Sequence, residues 1–209
     1  MIVEIWSDVM CPFCYIGKRK FERALEQFPG KDTVQLIWKS FQLAPDLKTD
    51  PDKNIHEYLS VHKGVSLEEA KRMNDYVTSL AKKVGLVYNF DQSIVANSFN
   101  AHRFSHFAKH YGKQSEAEEK LFRAYFTEGR NIDDNATLIQ LGSEMGLAAA
   151  TLKSALENGE YADEVRKDIY EAHQVGVRGV PHFFFNRKYV VSGAQESQVF
   201  LQTLEEARY

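Results

Sequence analysis

Apolar and polar positions follow two different rhythms along this chain. Ile2 to Trp6 is a short run dominated by apolar residues, which reads as a buried strand. From Pro12 to Phe28 the period lengthens: Ile16, Phe21, Leu25 and Phe28 recur at roughly helical spacing with Lys18, Arg19 and Lys20 between them, and Pro29-Gly30 stops the helix. Thr33 to Phe41 is rich in β-forming residues and reads as a second strand. A β-α-β opening of this kind predicts a parallel strand pair joined by a crossover helix.

A long helical stretch follows. Ser66-Leu67-Glu68-Glu69 has the form of a capping box, and behind it Ala70, Met73, Val77, Leu80 and Val84 step by three and four up to Gly85. Ile94, Ala101, Phe104, Ala108 and Tyr111 predict another helix, ended by Gly112. Ser115-Glu116-Ala117-Glu118 predicts a second capping box, with Leu121, Ala124 and Tyr125 behind it and Gly129 as the stop. Asp134 is placed to cap a helix through Leu138, Leu141 and Met145, and a short helix is predicted around Leu152 and Leu156.

Tyr161, Val165, Ile169 and Ala172 predict a helix stopped by Gly176, after which the pattern changes. His182 to Phe185 and Tyr189 to Val191 flank Asn186-Arg187-Lys188, a β-hairpin signal, and Gln195 to Ala207 predicts a closing helix. With the middle helices set aside, the order is β-α-β-α-β-β-α. The expected fold is therefore α/β and thioredoxin-like, with a large inserted α-helical domain. The expected bounds are 1–46 with 160–209 for the thioredoxin-like part and 47–159 for the insertion, which is large enough to cover a face of a small sheet.

Composition narrows the function classes. Of the 209 residues 44% are hydrophobic and 26% charged, with a formal net charge of −3, an ordinary soluble profile. No basic stripe suits nucleic acid, and no polybasic run suits an anionic membrane. Met1 leads straight into the first strand, without a basic segment, a long apolar segment or a cleavage site, so the expected compartment is the cytosol. The oligomeric state is left open.

The 2 cysteines are Cys11 and Cys14, which excludes a structural disulfide framework by count. In Cys11-Pro12-Phe13-Cys14 the proline suits the first helical position. Cys11 is then the N-cap, facing the free N–H groups and positive dipole end of the helix, an environment that acidifies a thiol. The expectation is an exposed, acidic Cys11 that attacks a disulfide and a shielded Cys14 that resolves the mixed disulfide. A structural zinc needs four ligands, two such pairs or one pair plus two His, and the chain has no second cysteine pair. A c-type haem needs His after the second cysteine, where Tyr15 stands. An iron–sulfur cluster shared by Cys11 of two chains would need a dimer. No metal and no resident cofactor are expected, with glutathione the candidate co-substrate.

The second signal is Gly176-Val177-Arg178-Gly179-Val180-Pro181-His182. A proline ahead of a strand and behind glycines suits either a trans strand start or a cis turn, and cis occurs in about 5–6% of X-Pro bonds. Together with the cysteine motif and the topology, it is expected to be cis. Its loop would then face the cysteines and offer the Val180 backbone to an extended substrate.

These segments resemble the DsbA family, and specifically its cytosolic FrnE-like branch. The resemblance is carried by Ser7 through Lys18, by Asn97 to Arg103 ending in Ala101-His102-Arg103, and by Gly179-Val180-Pro181 with Val191-Ser192-Gly193-Ala194-Gln195. It implies a thioredoxin fold with a helical insertion, dithiol chemistry at Cys11 and Cys14, and Pro181 as the cis-proline. Two positions depart from it: Phe13, where the branch often has Trp, and His182 after the proline. Phe13, Val180, His182, Asn97, His102 and Arg103 are the candidate substrate contacts.

Weaker signals have plainer readings. His102, His106 and His110 recur every four residues, but a helical wheel predicts a solvated face for them rather than a metal site. Asp8 is a modulator of the thiols, a proton relay or a cap on the strand end. Arg178 and Lys18 are candidates to draw an anionic thiol. The expected function is a protein disulfide oxidoreductase acting as a reductase or isomerase, on disulfide-containing proteins or small thiols. Two alternatives stand beside it: a glutathione-dependent isomerase or transferase of the kappa-class or 2-hydroxychromene-2-carboxylate isomerase type, and a non-catalytic peptide-binding module.

Overall fold

The structure is a computed structural model and describes residues 1–208. In chain order the elements are β1 (Ile2–Ser7), α1 (Pro12–Gln27), a 3₁₀ turn (Lys31–Thr33), β2 (Gln35–Ser40), β3 (Asp50–Asn54), α2 (Ile55–Lys63), α3 (Leu67–Lys83), β4 (Ile94–Val95), α4 (Phe99–His110), α5 (Gln114–Phe126), α6 (Asn135–Glu144), α7 (Ala149–Glu157), α8 (Ala162–Gln174), β5 (His182–Phe185), β6 (Tyr189–Ser192) and α9 (Ser197–Glu206). Two compact units form, Met1–Leu43 with the segment from Ala162 onward, and Ala44–Tyr161.

The first unit is built on a four-stranded sheet of order β2-β1-β5-β6. β1 runs parallel to β2 and antiparallel to β5, and β5 and β6 form the hairpin. Successive side chains on a strand point to opposite faces, so the sheet has two distinct surfaces. On one surface Val3 and Ile5 lie with Phe183 and Phe185, all buried. Phe21 of α1 packs there against Phe183, Phe185 and Phe200 of α9, with ring centroids 5.4, 6.2 and 5.7 Å apart. Each such ring contributes about 1.5–3 kcal/mol on burial, and together they fix α1 to the sheet.

The opposite surface carries Glu4, Trp6 and Phe184. The Trp6 indole N–H donates to the carbonyl of Asp168 in α8 at 3.1 Å, which places α8 on this side. Glu4 and Asp168 are buried here beneath a charge cluster that reaches solvent at Arg187. Lys39 reaches Glu171 at 2.5 Å, Asp168 at 3.4 Å and Glu4 at 3.5 Å. Arg187 forks onto both oxygens of Glu4 at 2.6 Å and onto Glu171 at 2.5 Å. Arg187 gets there because Asn186 and Arg187 take φ of +48° and +53° in the hairpin turn, the left-handed pair that matches strand twist.

The helical unit contains α2 to α7 and the short pair β3–β4. Ser66 caps α3 by accepting from the Glu69 N–H at 3.1 Å, and Asp134 caps α6 by accepting from Thr137 N–H at 2.9 Å. Three expectations are corrected in this unit. Ile94 lies in β4, and α4 starts at Phe99. Ser115 lies inside α5, whose N-cap is Lys113, so the second capping box does not form. His102 and His106 are buried, leaving His110 alone of the three exposed. The wheel failed because α4 is surrounded within its unit, with contacts to α5, α6 and α7, so a polar face is not a solvated one.

Candidate active site

The end of β1 turns into α1 through Asp8. Its carboxylate accepts from Met10 N–H at 3.2 Å and Leu43 N–H at 2.7 Å, while its carbonyl accepts from Cys11 N–H at 2.9 Å. Asp8 thus caps the strand end, one of its expected readings. The turn delivers Cys11 to the N-cap with φ −86° and ψ 111°, followed by Pro12 in the first helical turn. The Cys14 N–H then donates to the Cys11 carbonyl at 3.0 Å, starting the helix and putting Cys14 one turn in.

Both cysteines are free thiols and both are buried, Cys11 4% exposed and Cys14 1%. The expectation of an exposed Cys11 is corrected: its Sγ sits 3.6 Å from the Val180 carbonyl, against the loop ahead of β5. Burial pushes the Cys14 thiol well above the ordinary range, and its hydrogen bond to Cys11 and the charge of Cys11 push the same way. The Asp8 backbone and the Ser7 hydroxyl oppose these effects without overcoming them. Cys14 is therefore held as a thiol.

The Val180–Pro181 bond is cis. Pro181 is buried beside α1, and its carbonyl accepts from Gly193 N–H at 2.8 Å. Gly17 makes this approach feasible. A Cβ built there would lie 2.9 Å from Pro181 Cγ and 3.6 Å from Ala194. Gly17→Ala gains about 1 kcal/mol of helix propensity but overpacks a tight contact, which costs about 1–3 kcal/mol. We expect a net loss of stability of up to about 2 kcal/mol together with slower turnover, read by urea denaturation and a disulfide-reduction assay. A more stable variant with full activity would refute the role given to this contact. Gly17 stands within the segment quoted for the family resemblance, but no pattern in the sequence marks which partner it meets.

Phe13 is 39% exposed beside the thiols. His182 starts β5 opposite Trp6 and packs edge-on to Trp6 and Phe184, at 6.2 and 6.3 Å, on the sheet face of Glu4 rather than that of Ile5. Burial holds its imidazole below the usual range, so it is neutral at pH 7. Lys18 is buried and pairs with Glu22 at 2.5 Å, while Arg178 is exposed.

Asn97, His102 and Arg103 belong to the helical unit. The Asn97 side-chain amide donates to the carbonyls of Pro45 and Leu47 at 3.2 and 2.8 Å. The buried Arg103 guanidinium donates to the carbonyls of Ala155, Leu156 and Glu160 at 2.8 to 3.0 Å, at and just beyond the end of α7. Another of its N–H groups donates to the Asn100 side-chain oxygen at 2.8 Å, so these donors are directed within its own unit.

A β-α-β-α-β-β-α unit with a two-cysteine turn at the start of its first helix and a proline loop against the first sulfur defines the thioredoxin class of dithiol proteins. The chain belongs to the family described as the DSBA-like thioredoxin domain, whose model matches residues 2–205. It is similar to a probable DsbA oxidoreductase of Streptomyces coelicolor, with a TM-score of 0.92 and 38% identity over 99% of this chain and 89% of that one. A Bacillus subtilis protein, YwbO, described as uncharacterized, is 32% identical over 98% of this chain and 96% of its own length. A 2-hydroxychromene-2-carboxylate isomerase shares the fold at 14% identity, with a TM-score of 0.70 over 100% of this chain and 95% of that one. Among the described residues no helix is long and apolar enough to cross a membrane, and no three His, Cys, Asp or Glu converge as a metal site.

Proposed function

We propose that this protein is a cytosolic disulfide reductase or isomerase of the FrnE-like kind, with Cys11 as the attacking sulfur and Cys14 as the resolving one. One observation carries the reading: two free thiols share one helical turn, the first against the Val180 carbonyl and the second buried and held protonated. In the first step the Cys11 thiolate attacks a substrate disulfide, forming a Cys11–substrate disulfide and releasing one substrate thiolate. In the second Cys14 gives up its proton and attacks Cys11 Sγ. The Cys11–Cys14 disulfide forms, the second substrate thiolate leaves and takes up a proton, and the substrate disulfide has been reduced by two electrons. An external dithiol or glutathione restores the pair.

The loop backbone at Val180, ahead of β5, suits pairing with an extended substrate, and the exposed Phe13 ring supplies apolar contact at the rim. The fold is shared with an isomerase, so fold alone does not separate the two activities. The pair Cys11 and Cys14 favours dithiol exchange, because a single-nucleophile isomerase has no use for a resolving thiol. The reducing direction follows from compartment. Cytosolic glutathione sits at about −220 to −320 mV depending on method, and a pair poised above that range stays a dithiol unless it has its own acceptor.

Two measurements test this. Purified protein should accelerate reduction of insulin disulfides by dithiothreitol, and no acceleration would remove the oxidoreductase reading. Acid quench of intact cells followed by thiol trapping should recover Cys11 and Cys14 mainly as dithiol. A pair found mainly as disulfide in unstressed cells would overturn the reducing direction.

A further inference from the structure

We infer that Ser7 donates the hydrogen bond that receives Cys14 as a thiolate during the resolving step. This deepens the dithiol-exchange reading above and rests on it. The starting observation is an unsatisfied hydroxyl. Ser7 is the last residue of β1, on the same sheet face as Val3 and Ile5, the face that α1 covers. It is 2% exposed, and its Oγ is a buried side-chain oxygen with no hydrogen-bond partner. Leaving a buried hydroxyl unpaired is unfavourable by about 1–3 kcal/mol, a cost that alanine at this position would avoid. Among the described residues the other such atoms, on Ser98, Glu118 and Asn135, all lie in the helical unit.

What faces Ser7 explains the cost. Cys14 occupies the first turn of α1, fully buried. As a thiol it is directed to Cys11, and the Ser7 hydroxyl has nothing charged to bind. Once Cys14 is deprotonated, its sulfur needs donors in a site closed to water. The donors near it are the Ser7 hydroxyl and the Asp8 backbone, the two groups that favour the ionised sulfur. The Ser7 hydroxyl is therefore paired in the reacting state and unpaired at rest, a placement that favours the attack geometry over the resting one.

The remaining titratable groups near the turn do not replace it. Asp8 is held by the N–H groups of Met10 and Leu43, Lys18 by Glu22, and Pro181 carries no titratable group. Cys11 is at that moment bonded to the substrate sulfur and carries no charge. Removing Ser7 Oγ is therefore expected to slow Cys14 attack and leave Cys11 attack intact.

An aromatic disulfide, 5,5′-dithiobis(2-nitrobenzoate), separates the two events. Its first chromophore leaves when Cys11 attacks and its second when Cys14 resolves the mixed disulfide. In stopped flow, Ser7→Ala should keep the first phase, slow the second about tenfold or more, the scale of one hydrogen bond to a charged group, and move its pH midpoint upward. Ser7→Thr, which retains the hydroxyl, should recover the second phase. In a Cys11→Ala background the thiolate absorbance of Cys14 at 240 nm should titrate at higher pH when Ser7 is also alanine. Unchanged phases, or equal slowing of both, would overturn the role of Ser7 while leaving the dithiol reading in place. Loss of the second phase in the unaltered protein would instead remove the dithiol reading itself.

Discussion

Cys11→Ser is expected to bring disulfide reduction down to background, a loss of order 10⁴-fold or more, the scale on which removing a covalent nucleophile lowers kcat. Cys14→Ser should behave differently. Its Cys11 still attacks, but the mixed disulfide has no resolving sulfur and accumulates as a Cys11–substrate adduct, visible by mass spectrometry. The contrast arises because the two sulfurs occupy unlike environments one helical turn apart. Cys11 lies at the helix N-terminus against the Val180 carbonyl, whereas Cys14 is enclosed and held protonated. Alkylation at neutral pH should therefore place a single adduct on Cys11; labelling of Cys14 first would reverse the assignment.

The pH dependence of folding follows from the same asymmetry. A folded-state thiol raised above the unfolded value of about 8.5 stabilises the fold fully below that value. The contribution is lost as pH rises through the folded value, because the unfolded chain releases its proton first. Reduced protein should thus lose stability above about pH 8.5, and Cys14→Ser should not show that loss.

Lys39→Met is expected to destabilise the fold by about 3–5 kcal/mol, the cost of removing one partner from a buried ion pair. Lys39 lies among Glu4, Asp168 and Glu171 and 5.5 Å from the centre of the Trp6 ring, with side-chain exposure of 12% against 6% for Glu4 and 8% for Asp168. Without it, Asp168 and Glu4 lose a counter-ion in a site with little water. A loss below about 1 kcal/mol in urea denaturation would mean that the cluster behaves as exposed bridges do.

The signs with pH are opposite at the two ends. Burial acts to raise Glu171, but hydrogen bonds from Lys39 and Arg187 outweigh it, so its pKa is lowered. Its contribution is present above the unfolded value of about 4.3 and is lost as pH falls through the folded one. Burial acts to lower Lys39, but the hydrogen bond to Glu171 and the charges of Asp168, Glu171 and Glu4 raise it. Its contribution is present below about 10.4 and is lost as pH rises through the folded value. Stability should therefore be flat across neutral pH and fall at both extremes.

Local chemistry is what the sequence determined. Pro12 behind Cys11 and Pro29-Gly30 ahead of the second strand bound α1, because a proline lacks the N–H that a helix interior requires and suits the first turn. Asn186-Arg187 between two β-rich runs specifies the hairpin, and Ser66 and Asp134 specify two helix starts, since each acts within a few residues. The spacing of Cys11 and Cys14 likewise names the chemistry, because one helical turn brings two sulfurs into exchange distance. Where a capping pattern had competition, local reading failed: Ser115 was drawn inside α5, and Ile94 paired with Asn54 as a strand.

Tertiary structure alone decided how each polar group is answered. Ser7 is one serine among several in the sequence, and becomes distinctive because the sheet leaves its hydroxyl unpaired under α1. Gly17 reads as a helix flaw until Pro181, 164 positions away by their numbers, is found against it. His102 and His106 sit on a polar stripe yet are enclosed, and Arg103 serves the carbonyls of α7. Cys11, expected at the surface, lies against Val180. For Gly17, Arg103 and Cys11 the partner is distant in sequence, and periodicity reports only which neighbours share a face, not what that face will meet.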